Sequence, residues 1–171
     1  MQEADVTTAM IRLRKTGESV MEIMSTSPYS LSSKRRTGDA LDLMSEADIG
    51  AVPVFERGKL VGIITERDIV KEITKSFDYL NRPLGVTARK QVVTARVDTP
   101  VWQAFVLMVK NNIRRLPVMK GSKMVGIVTE RDLFKWAVRV AYEPNLPKDL
   151  KRLLEQRPKR KKSALAILRA G

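Results

Sequence analysis

The chain contains no cysteine and no histidine among its 171 residues. The first absence removes disulfides, thiolate nucleophiles and thiolate zinc sites, and the second removes the usual general base at neutral pH. Hydrolytic triads built on either residue are thereby excluded, as is structural zinc, and no catalytic residue or metal ligand is assigned. Asp, Glu and Lys remain available for acid–base work, but a non-enzymatic protein is the expectation. No segment reaches the roughly 18 uninterrupted apolar residues of a membrane span, and the first residues lack the apolar run of a secretory signal. A soluble, cytoplasmic protein without membrane contact is therefore expected.

What the chain does have is enough apolar content, 43%, to bury a real core. Its formal charge of +13 points toward polyanionic partners without naming one. The charge is uneven. Lys148 to Gly171 holds nine Lys or Arg against Asp149 and Glu155, a net +7. Pro144 and Pro147 separate this tail from the body, because each disfavours helix at the residue before it.

The body says one thing twice. Val52 to Lys71 returns 64 residues later as Leu116 to Lys135, and 15 of the 32 positions from Ala40 to Lys71 are identical at that offset. Self-similarity at a fixed period marks a duplicated structural unit. The boundaries this implies are an N-terminal segment 1–19, repeats 20–79 and 80–143, and a basic tail 144–171. Within the first segment, Val6 to Leu13 has a helical pattern.

Each copy reads as β-α-β-β-α, giving an α+β (α/β-like) fold. In the second copy, Gln91 to Val97 is short and β-prone, and Asp98-Thr99-Pro100 starts a helix with proline in its first turn. Val101, Phe105, Met108 and Val109 then fall on one helical face that ends near Asn111-Asn112. Strands at 116–119 and 124–128 flank a turn at Gly121, and Thr129 opens the last helix. The first copy matches, with a helix over 39–47, strands at 52–55 and 60–64, and a helix opening at Thr65. A unit of this size cannot bury an apolar sheet face alone, so the two copies are expected to pack sheet to sheet about a pseudo-twofold axis. The short linker 77–85, with Pro83 and Gly85, leaves little slack between them.

The order helix, Leu-Pro-Val, Gly-Lys-Met-Val-Gly-Ile-Val-Thr-Glu-Arg-Asp closely resembles the CBS domain, and two in tandem resemble the pair called a Bateman module. The resemblance covers roughly Val20 to Ala141. It implies a regulatory sensor that binds an adenosine nucleotide in the cleft between repeats, and a homodimer of the disk-like kind many members form. The expected ligand is AMP, ADP or ATP, with no catalytic cofactor and an unknown regulated protein as partner.

The residues themselves allow two readings of the shared Thr-x-x-Asp. At a strand-to-helix junction its carboxylate can accept both hydroxyls of a ribose, while the free N–H groups and positive helix end favour phosphate. It is equally an ordinary capping box, worth about 1 kcal/mol to the helix without any ligand.

The copies differ just before each strand that carries the proline. Gly50-Ala51 in the first copy leaves room for a purine, whereas Arg114-Arg115 in the second offers guanidinium groups suited to phosphate. Family sites combine the adenine side of one repeat with the polar side of the other, which implies one better site. Its adenine wall would be Met24, Tyr29, Ile49, Gly50 and Ala51, and its polar end Arg114, Arg115, Thr129, Arg131 and Asp132. A weaker mirror site would use Thr65, Arg67 and Asp68 with Ala88, Val93, Ile113 and Arg114. Trp102 and Trp136 have no counterparts in the first copy and are read as core or dimer-interface residues.

The alternative function is nucleic-acid binding by the tail, with the repeats as a dimerising scaffold. Arg157, Lys159, Arg160, Lys161 and Lys162 would contact the polyanion, with affinity falling steeply in salt. No aromatic residue interrupts the cluster, which argues against stacking on single strands.

Overall fold

The computed structural model describes residues 16–142. The predicted helix at 6–13 and the basic tail lie outside them. The described chain forms two compact units, one holding residues 16–27 and 93–142, the other residues 28–92.

The 64-residue offset governs almost every element. Helix α1 (Val20–Ile23) corresponds to α4 (Leu84–Thr87), β2 (Leu31–Ser32) to β5 (Ala95–Arg96), and α2 (Thr37–Ala47) to α5 (Val101–Asn111). The hairpin strands β3 (Ala51–Glu56) and β4 (Lys59–Thr65) correspond to β6 (Arg115–Lys120) and β7 (Lys123–Thr129). The final helices start in step, α3 (Glu66–Ile73) and α6 (Glu130–Tyr142), and only their lengths differ. Strand β1 (Ser25–Thr26) completes the set.

The sheet of residues 28–92 has the order β2-β3-β4, and that of the other unit the order β1-β7-β6-β5. In both, a two-residue strand runs parallel to the first hairpin strand, Leu31 opposite Val54 and Ala95 opposite Val118. The stretch 91–97 is therefore strand only at Ala95–Arg96. Pro100 occupies the cap of α5 rather than its first turn, while Thr99 Oγ1 accepts from the Arg96 amide at 2.9 Å. Helices α2 and α5 both stop where a polar residue, Asp48 or Asn112, turns left-handed, a conformation that short polar side chains tolerate. The linker 77–85 is not plain coil. It holds a 3-10 turn over Phe77–Asn81 and the start of α4.

The short helices cross over between copies. Leu84 and Ala88 pack in the core with Leu43, Met44, Val52, Val54, Ile64 and Ile69, all of the first copy. Val20 and Met24 pack with Val101, Met108, Leu116, Val118, Val128 and Trp136, of the second. Equivalent backbone bonds fasten each crossing: Val20 N–H to Thr99 O at 2.8 Å and Val101 N–H to Glu18 O at 3.0 Å in one unit. In the other they are Leu84 N–H to Arg35 O at 2.8 Å and Thr37 N–H to Arg82 O at 2.9 Å. The sequence repeats and the compact units thus divide the chain at different places.

Two glycines make the crossings possible. A Cβ on Gly62 would lie 2.9 Å from Ala88 Cβ and 3.0 Å from Arg89 O, and one on Gly126 would run into Met24 and Ser25 O. Only the absence of a side chain lets the incoming segment lie this close to the hairpin.

The second copy adds a tie of its own. Trp136 is buried, and its Nε1–H donates to Glu18 Oε2 at 2.7 Å, while Arg139 pairs with Glu18 Oε1. A buried indole needs such an acceptor. This places Trp136 in the core. Trp102 packs against the same core, partly buried.

Candidate functional site

In each unit the second hairpin strand runs into a helix through a threonine, with its side chain and that of the aspartate three residues later joined. Thr129 Oγ1 donates to Asp132 Oδ2 at 2.7 Å, Thr129 N–H donates to the same oxygen at 2.9 Å, and Asp132 N–H donates back to Thr129 Oγ1 at 3.3 Å. Thr65 and Asp68 repeat the arrangement at 2.7, 3.2 and 3.2 Å. Both motifs are therefore true capping boxes. Capping engages only one carboxylate oxygen, Oδ2, so it leaves the other for a further donor.

The two copies treat that second oxygen differently. Asp68 Oδ1 accepts from Arg89 Nε at 2.8 Å and from a terminal nitrogen of the same guanidinium. Arg89 is positioned for this by its backbone, which exchanges hydrogen bonds with Ile63 at 2.9 and 3.0 Å. In the other unit Ser25 stands opposite Ile127, the same register at the 64-residue offset, and its side chain is too short to reach. Among the described residues no ion pair engages Asp132.

Around Asp132 the charge is positive. Arg115 is the register partner of Thr129, which brings its strand position beside the helix start. Arg114 O accepts from the Glu130 amide at 2.9 Å, and the Arg114 guanidinium lies 3.7 Å from the Glu130 carboxylate. Both of those side chains are exposed, so their attraction is largely screened and holds neither in place. Arg131 is exposed on the first turn of α6.

The corresponding positions 50 and 51 are buried, and Gly50 O accepts from the Glu66 amide at 3.3 Å. Arginines at these positions in the first copy would need a rebuilt edge.

The unit of residues 16–27 and 93–142 holds Met24, Arg114, Arg115, Thr129, Arg131 and Asp132 of the better site, and Val93, Ile113 and Arg114 of the mirror site. The unit of residues 28–92 holds Tyr29, Ile49, Gly50 and Ala51 of the better site, and Thr65, Arg67, Asp68 and Ala88 of the mirror site. Met24 is thus in the same unit as the polar end rather than with the rest of its wall, because α1 crosses over. Arg157, Lys159, Arg160, Lys161 and Lys162 lie outside the described residues. Arg89 was not among the residues singled out from sequence. Its counterpart at the 64-residue offset is Ser25, but no identity survives in that segment, Met24-Ser25-Thr26 against Ala88-Arg89-Lys90, so the repeat carries no signal for it.

Two copies of one α+β unit, each ending its hairpin on a threonine–aspartate helix start, define a tandem-repeat module. The chain belongs to the CBS domain family, whose model matches residues 20–75 and 85–139. The CBS domain-containing protein YhcV of Bacillus subtilis is 32% identical over 115 residues, covering 67% of this chain and 82% of that protein. The CBS domain pair of MJ0100, solved in complex with 5-methylthioadenosine and S-adenosyl-L-methionine, is 30% identical with a TM-score of 0.64. That match covers 70% of this chain and 94% of the other. The A-adding tRNA nucleotidyltransferase of Aquifex aeolicus is 33% identical over 117 residues, but they span only 14% of the enzyme. No helix among the described residues is long and apolar enough to cross a membrane.

Proposed function

We propose that the chain is a regulatory module that binds an adenine nucleotide, AMP, ADP or ATP, at the helix start formed by Thr129 and Asp132. The observation that carries this reading is that capping uses only Asp132 Oδ2, at 2.7 and 2.9 Å, in a setting of nearby arginines. A carboxylate with an available oxygen accepts ribose hydroxyls, and the first-turn amides of α6 with Arg114, Arg115 and Arg131 favour phosphate. The MJ0100 pair supports the adenosine part of the ligand, since both of its bound compounds carry an adenosyl group and neither carries a phosphate.

Regulation follows by population shift. A ligand biases the chain toward whichever arrangement it binds more tightly, and that bias is passed to an unidentified protein partner or to a homodimer. Mass spectrometry of small molecules carried through purification of the full-length chain tests the ligand class. An adenine nucleotide released on denaturation is the expected result. Absence of any adenosine compound, together with no binding on titration, would return Thr129 and Asp132 to helix capping alone.

A further inference from the structure

The two units carry the same carboxylate at the same helix start, but among the described residues only one of them also carries a cation that covers it. Asp68 is 13% exposed, Oδ2 is engaged by Thr65, and Oδ1 is engaged by Arg89. A hydroxyl donor reaching Asp68 must first displace a charged donor, which makes the stronger hydrogen bond. We propose that Arg89 is an internal competitor that latches the Asp68 site, so that the first helix start is closed to ribose while Asp132 stays open. The inference rests on the ligand class proposed above.

The latch is built to open. The Arg89 side chain is 60% exposed, so its guanidinium can leave for water without breaking the core. Its backbone does not move with it, because the bonds to Ile63 hold the segment at 2.9 and 3.0 Å whatever the side chain does. Ser25 shows that the register tolerates a short residue, since it pairs opposite Ile127 in the same way. A second site that opens only at higher ligand concentration would give the module a second response threshold.

The test uses full-length protein and two probes, adenosine and AMP, titrated by calorimetry into the native chain, Arg89→Ser and Arg89→Ser/Asp68→Ala. Removing the guanidinium is expected to tighten Asp68-dependent binding of both probes about tenfold, making a second equivalent measurable. Adding Asp68→Ala should remove that equivalent. Circular dichroism and thermal midpoints establish that the variants fold. Unchanged binding by a folded Arg89→Ser protein overturns the latch. So does weaker AMP binding with adenosine unaffected, which would make Arg89 a phosphate ligand instead. If the native protein binds neither probe but Arg89→Ser binds one equivalent through Asp68, the latch stands and the assignment of the ligand to Asp132 falls. If neither protein binds either probe, both fall.

Discussion

Arg89 Nε lies 2.8 Å from Asp68 Oδ1, an ion pair with no counterpart at Asp132 among the described residues. The copies match in strand register and helix start, so this difference is one of side chains on a common backbone. Asymmetry in a duplicated unit is informative for that reason. Fold alone gives no cause for Ser at position 25 and Arg at position 89.

The capping boxes contribute to stability whether or not a ligand binds. Thr65→Ala and Thr129→Ala are each expected to cost about 1 kcal/mol, because each leaves the amide of its aspartate without an acceptor. Urea denaturation monitored by circular dichroism measures this. A cost near zero at Thr129 would mean that the 3.3 Å bond to its hydroxyl contributes nothing in solution.

The glycines beneath the crossing segments should differ in tolerance. At Gly62 a new Cβ meets Ala88 Cβ at 2.9 Å and Arg89 O at 3.0 Å, neither of which can rotate away. At Gly126 it meets the flexible end of Met24, with Ser25 O at 3.0 Å. Gly62→Ala is expected to destabilise by about 1–3 kcal/mol, and Gly126→Ala by less. The reverse order in thermal or chemical denaturation would show that the Ser25 backbone, not Met24, sets the limit.

Trp136→Phe keeps most of the apolar packing but deprives Glu18 of the indole donor at 2.7 Å. The expected loss is about 1–3 kcal/mol, and it should fall on the attachment of the first described residues. Hydrogen exchange of the Val20 amide, which is bonded to Thr99 O at 2.8 Å, reports on that attachment. Protection at Val20 equal to that of the native chain would contradict the tie.

Much of the fold was legible in sequence because the repeat carries it. Pro53 and Pro117, the Gly-Ile-(Ile/Val)-Thr run and the aliphatic alternation place both hairpins within a residue or two of their observed ends. The crossing helices were not legible. Val20–Ile23 and Leu84–Thr87 are one turn each, too short for a periodic signal, and what fixes them is contact with the other copy's core. The threonine–aspartate pairs could be found from spacing alone, since a capping box is a local motif. The Arg89–Asp68 pair could not, because 21 residues separate its members and only the crossing brings them together.

The most direct test of the nucleotide site is AMP titration into the native chain, Asp132→Ala and Asp68→Ala by calorimetry. Both substitutions remove the same cap, but Asp68→Ala also removes the Arg89 pair, so thermal midpoints and circular dichroism are used to establish that each variant folds. Asp132→Ala is expected to weaken AMP binding on the order of a hundredfold, the scale of one or two charge-assisted hydrogen bonds, while Asp68→Ala changes it little. Equal losses from the two, or undiminished binding by Asp132→Ala, would contradict the assignment of the open site to Asp132.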